Sequence, residues 1–81
     1  MRMLDAERKQ GVRVLQLYLT PDEATEVREK LSALLADAEA VEHEHVISND
    51  GCRDLSFSII TPKKLASGRY TKLEQSVFEE T

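Results

Sequence analysis

Histidines at 43 and 45 and a cysteine at 52 lie close together in the stretch VEHEHVISNDGCRD (41–54), and the chain has no others. Imidazole and thiolate are the side chains that bind zinc and similar metals, and a cysteine activated by a base can attack an electrophile. Alternate residues of a strand share a face, so His43 and His45 could chelate together. A tetrahedral site needs a third and a fourth ligand, and Cys52 falls several residues along rather than opposite. Cys52 also lacks a second cysteine to resolve an oxidised state, and the sequence fixes no base beside it. Neither a metal nor a cofactor is expected, and the stretch reads as a β-hairpin with an incidental surface thiol.

The turn decides what that hairpin does with its histidines. Asn49 and Asp50 suit a type I turn, and Gly51 supplies the left-handed residue that follows in a three-residue loop. Ser48 would then pair with Cys52, His45 with Leu55 and His43 with Phe57. Both rings would lie against Leu55 and Phe57, while Glu42 and Glu44 would point to water beside Ser56 and Ser58. Burial disfavours protonated imidazole, so His43 and His45 are expected to make stability fall on mild acidification. A two-residue Asp50-Gly51 turn would shift the pairing by one, set Glu44 against Phe57 and exchange the two faces.

The flanking elements read as follows. Residues 1–11 are a polar leader, frayed or a short helix, and residues 12–81 are expected to form one α+β domain. VRVLQLYLT (12–20) alternates Leu15, Leu17 and Leu19 against Val14, Gln16 and Tyr18, the pattern of a first strand. In TPDE, Thr20 can cap a helix, Pro21 needs no hydrogen bond at the first position and Glu23 can complete a capping box. Ala24, Val27, Leu31, Leu34 and Ala38 recur at three and four, which predicts a helix over 21–37 with one apolar stripe. DLSFSII (54–60) alternates as a further strand. TPKK predicts a short turn or one helical coil at 62–66, and Tyr70, Leu73 and Val77 a final helix over 69–79. The expected fold is β-α-β-β-α, a two-layer sandwich with a three-stranded, mostly antiparallel sheet of order 1-3-2 and both helices on one face.

A chain of 81 residues has room for one small core and a thin stability margin. No apolar run is long enough for a transmembrane helix, and no secretory h-region opens the chain. A cytoplasmic protein is expected. The net charge is −4, but residues 20–54 carry ten acidic and three basic groups, so the middle of the chain is strongly acidic. That opposes general binding to nucleic acid or anionic membrane, which needs a basic footprint. The exception is local: Lys63, Lys64, Arg69 and Lys72, with Tyr70 among them, could contact a few phosphates, giving an alternative reading as a nucleic-acid-associated regulator. No nucleophile elbow, phosphate loop or dinucleotide turn is present, and the chain is short for enclosing a substrate pocket, so neither an enzyme nor a small-molecule substrate is indicated. The reading that remains is a small acidic protein-interaction module: an adaptor, an inhibitor or immunity-type protein, or an assembly subunit. A protein partner or a second copy is expected, with a homodimer plausible. The expected contacts are Tyr18, Val46 and Ile60 on the outer sheet face, with Glu42 and Glu44 as rim charges.

Overall fold

A computed structural model describes residues 1–80. It contains seven short elements: β1 (Met3–Asp5), β2 (Gln10–Val12), α1 (Pro21–Ala36), β3 (Glu44–Ile47), β4 (Asp54–Phe57), α2 (Pro62–Ala66) and α3 (Lys72–Phe78). The α+β character is as expected, but the three-stranded sheet of order 1-3-2 is not formed. Instead β1 pairs with β2 and β3 with β4, as two separate antiparallel two-stranded sheets. The described residues divide into two compact units, 18–67 and 1–17 with 68–80.

The unit of residues 18–67 is built on α1. Thr20 has extended backbone and accepts the Glu23 amide at 3.2 Å, while the Glu23 carboxylate accepts the Thr20 amide at 2.9 Å. The helix packs against β3, and Leu34 and Val46 are the buried apolar residues of this unit. Of the expected stripe, Val27 and Ala38 are half-buried, while Ala24 and Leu31 are exposed. The short α2 opens on a second threonine cap, the Thr61 hydroxyl accepting the Lys64 amide at 3.1 Å.

The hairpin of β3 and β4 takes the register that pairs Glu44 with Phe57, His45 with Ser56, Val46 with Leu55 and Ile47 with Asp54. This is one residue away from the expected pairing, and it reverses the faces. Side chains in the loop supply the reason. The Ser48 amide donates to the Arg53 carbonyl at 2.9 Å, closing a loop of residues 49–52 rather than 49–51. The Asp50 carboxylate accepts the Cys52 amide at 2.9 Å, and the Ser48 hydroxyl accepts the Arg53 amide at 3.0 Å. These bonds hold the extra residue after Gly51, whose φ is +75°. Val46 is carried inward, to the face that α1 covers. Glu44 shares that face and ion-pairs with Lys30 of α1 at 3.4 Å, which makes an inward glutamate tolerable.

In the other unit, residues 3–12, all but Val12 expected as part of a leader, hold a hairpin pairing Met3 with Val12, Leu4 with Gly11 and Asp5 with Gln10. Asp5 organises its turn: its carboxylate accepts the amides of Glu7 and Arg8 at 3.1 and 3.0 Å, and its carbonyl accepts the Lys9 amide at 2.8 Å. Lys9 closes the turn in the left-handed region, with φ of 58°. The α3 helix packs on both strands and buries Val77. Its capping box repeats that of α1, Thr71 and Glu74 exchanging bonds of 3.1 and 2.9 Å. Arg2 clasps the far end of the helix, donating to the carbonyls of Phe78 at 3.2 Å and Glu80 at 2.6 Å.

Residues 13–19, the greater part of the expected first strand, belong to no helix and no ladder. The connection explains why. Thr20 is already the cap of α1, so a strand running to residue 20 would leave no residue to turn the chain across a sheet, where such loops take about two to six residues. Alternation predisposes the run to be extended; it does not supply a neighbour.

Candidate interaction surface

With the register established, His43 and His45 are exposed, and their rings meet edge to face at 4.6 Å. The Nδ1 of His45 lies 3.1 Å from the Asp54 carboxylate across the ladder. The packing over Leu55 and Phe57 from which the expected pH sensitivity was drawn is therefore absent, because the one-residue shift turns both rings outward. Cys52 is exposed, with its thiol 3.6 Å from the Asp50 carbonyl. Among the described residues no group of three or more His, Cys, Asp or Glu side chains is placed to hold a metal ion. Among the same residues no helix is long and apolar enough to cross a membrane.

The residues expected to make contacts are dispersed. Val46 is buried and Glu44 is half-buried in its pair with Lys30, so neither offers a free surface. Glu42 and Ile60 are exposed. Tyr18 is exposed too, but it stands in the irregular run rather than on a sheet. Of the basic cluster, Lys63, Arg69 and Lys72 are exposed. Lys64 is almost completely buried, and its ammonium donates to the carbonyls of Val41 at 2.9 Å and Ile59 at 3.0 Å. It binds together the chain entering β3 and the chain leaving β4, and it cannot reach a phosphate. The double-lysine signal gave no hint of this; only the place of Lys64 at the end of the first turn after a Thr-Pro cap marks it in retrospect.

Two carboxylates are held in their charged form. The amide of Thr20, and next that of Asn49, keep the Glu23 carboxyl below its ordinary range. For Asp50 the Ser48 hydroxyl contributes most, followed by the Cys52 amide. Both groups are occupied in shaping the cap and the loop, and they read as structural anchors rather than as acids or bases.

What stands out is the run of residues 14–19. Val14 and Tyr18 are 85% and 84% exposed, against 55%, 52% and 39% for Leu15, Leu17 and Leu19. Exposure thus follows a period of two, as in an extended chain with one side more open than the other. Only Leu34, Val46 and Val77 are buried apolar residues among those described. One short segment therefore shows more large apolar side chains to water than the described fold encloses. Scattered exposed leucines are ordinary, whereas these five are neighbours along the chain. The sequence signal was the alternation of 12–20, which pointed to a strand but left open where its neighbour would come from. Compared with known protein families, with curated proteins and with solved structures, the chain matches none.

Proposed function

We propose that the chain is a non-enzymatic interaction module that works by docking its residues 14–19 against another protein surface, as an adaptor, an inhibitor or a subunit of an assembly. The observation that carries this reading is the exposure of Val14, Leu15, Leu17, Tyr18 and Leu19 in one run without a ladder. Hydrophobic side chains gathered this way lose their water on docking, and unpaired strand-like backbone gains a ladder. Tyr18 suits the anchor, since tyrosine gives large contact area for few rotatable bonds and is favoured where interfaces concentrate their energy. An exposed single thiol with no disulfide supports a reducing compartment, and the cytoplasm is part of the same proposal.

The test is a photo-crosslinking residue placed at Tyr18 in the full chain, expressed in its native host. Discrete protein adducts are expected from position 18 and not from Glu29, an exposed position on the polar side of α1. If position 18 yields no adduct beyond that control, the reading is wrong.

A further inference from the structure

We infer that the occupant of this surface is a second copy of the same chain, with residues 13–19 of the two copies paired antiparallel about a two-fold axis through Gln16. The inference rests on the interaction-module reading and names its partner.

The run is self-complementary. With Gln16 opposite Gln16 of the second copy, Leu15 falls opposite Leu17, Val14 opposite Tyr18 and Arg13 opposite Leu19. Every exposed apolar residue from 14 to 18 then faces an apolar residue. The two polar glutamines meet on the axis, where their amides can bond to each other. Leu15 and Leu17 of both copies line one side of the ribbon; Val14, Gln16 and Tyr18 of both line the other. A register displaced by one residue along the run would set Gln16 against a leucine and break this matching.

Charge agrees with the same pairing. Arg13 is the single charged residue of the run. At about 3.4 Å per residue the two Arg13 side chains lie roughly 20 Å apart along the ribbon, beyond the Debye length of about 8 Å at physiological salt. Each comes to the place where the other copy enters α1, whose first turn carries the exposed Asp22. Cation therefore meets acid at both ends of the ribbon.

Area agrees as well. Ten exposed apolar side chains, five from each copy, at several tens of Å² apiece and with their backbone, bring several hundred Å² to the contact, the size of a weak association. A chain whose described residues bury only three apolar side chains has the stability of its association to gain.

Cysteine pairing reads the register directly. In a Cys52→Ser background, Gln16→Cys places two thiols on the axis, with Cα atoms about 4.5–5.5 Å apart and within disulfide reach. Val14→Cys and Tyr18→Cys place like positions four residues apart along the ribbon, roughly 14 Å, which no disulfide spans. Mild oxidation is expected to link Gln16→Cys into a covalent dimer and to leave the other two unlinked. Sedimentation of the unmodified chain at tens of micromolar should give the mass of two copies. Tyr18→Glu, at a position too exposed to be needed for folding, should give that of one copy with an unchanged circular dichroism spectrum. Equal linking of all three cysteine variants, or a monomeric mass for the unmodified chain, overturns the inference. A monomer that still crosslinks through position 18 to a different protein leaves the interaction module standing and removes only the second copy.

Discussion

The two units use the same three devices with different yields. Each has a hairpin whose turn needs a left-handed residue, a helix opened by a Thr-x-x-Glu box, and a cation that donates to backbone carbonyls. In residues 18–67 these are Gly51, Thr20 with Glu23, and Lys64; in the other unit they are Lys9, Thr71 with Glu74, and Arg2. The local chemistry is nearly identical, and what differs is burial and reach. Lys64 is enclosed and Arg2 is exposed; Glu23 serves two segments of chain and Glu74 serves its own helix. A motif fixes what a side chain can bond to, and its surroundings decide what the bond contributes.

The widest gap is expected between the cations. Lys64→Met keeps the aliphatic stem but strips the donor from two part-buried carbonyls, which should cost about 1–3 kcal/mol, the range for buried groups left unsatisfied. The carbonyls that Arg2 meets can turn to water, so Arg2→Met should stay within about 0.5 kcal/mol. Urea midpoints of the two variants measure the difference directly. Equal losses would mean that burial is not what distinguishes the two clasps. Lys63→Met, next to Lys64 but exposed, controls for loss of charge alone.

The turns come next, with opposite signs. At Gly51 a Cβ would meet no atom, so Gly51→Ala is opposed by backbone strain alone, at φ +75°, and should lose about 1 kcal/mol. Lys9 already bears that strain at φ 58°, so Lys9→Gly should gain up to about 1 kcal/mol, less the entropy that glycine loses on folding. Thermal unfolding of both variants would show one midpoint falling and the other rising or unchanged. A clear loss in Lys9→Gly would remove the parallel between the turns.

These pairs also show what could be read from the sequence. α1 was legible because its start is written locally: Thr20, Pro21 and Glu23 each act within one helical turn, and the helix lies at 21–36 against an expected 21–37. The second hairpin was legible as a hairpin but not in its register. Loop length there is settled by the carboxylate of Asp50 and the hydroxyl of Ser48, and a difference of one residue moved every side chain to the opposite face. The first hairpin was not legible because a lysine occupies the position where glycine or asparagine would announce a turn. The alternation of 12–20 was real, and the error was to provide its partner from within a three-stranded sheet. Of the residues expected at the site, Tyr18 is fully presented, while Val46 went inward with the register and Lys64 with its two carbonyls. Such placements depend on distant segments, which local pattern does not encode.

The glutamates give the smallest effect and the finest comparison. Glu74 uses one oxygen, accepting the Thr71 amide, and a glutamine can do the same, so Glu74→Gln should leave stability nearly unchanged. Glu23 uses both oxygens, one for the Thr20 amide and one for the Asn49 amide at 2.9 Å each. Glutamine offers one acceptor and turns a donor toward the other amide, so the link from α1 to the hairpin loop should be lost. The two differ in acid as well. Because the folded chain holds the Glu23 carboxyl below its ordinary value of 4.5, its contribution is fully present above that pH and fades as pH falls through the lower folded value. Asp50, held below 3.8, adds a loss of the same sign at still lower pH. Denaturant titrations from pH 7 to pH 3 should therefore show Glu23→Gln starting less stable at neutral pH and declining less steeply below about 4.5 than the unmodified chain. Parallel curves would mean that the Asn49 amide contributes nothing through Glu23, and the two caps would then be equivalent.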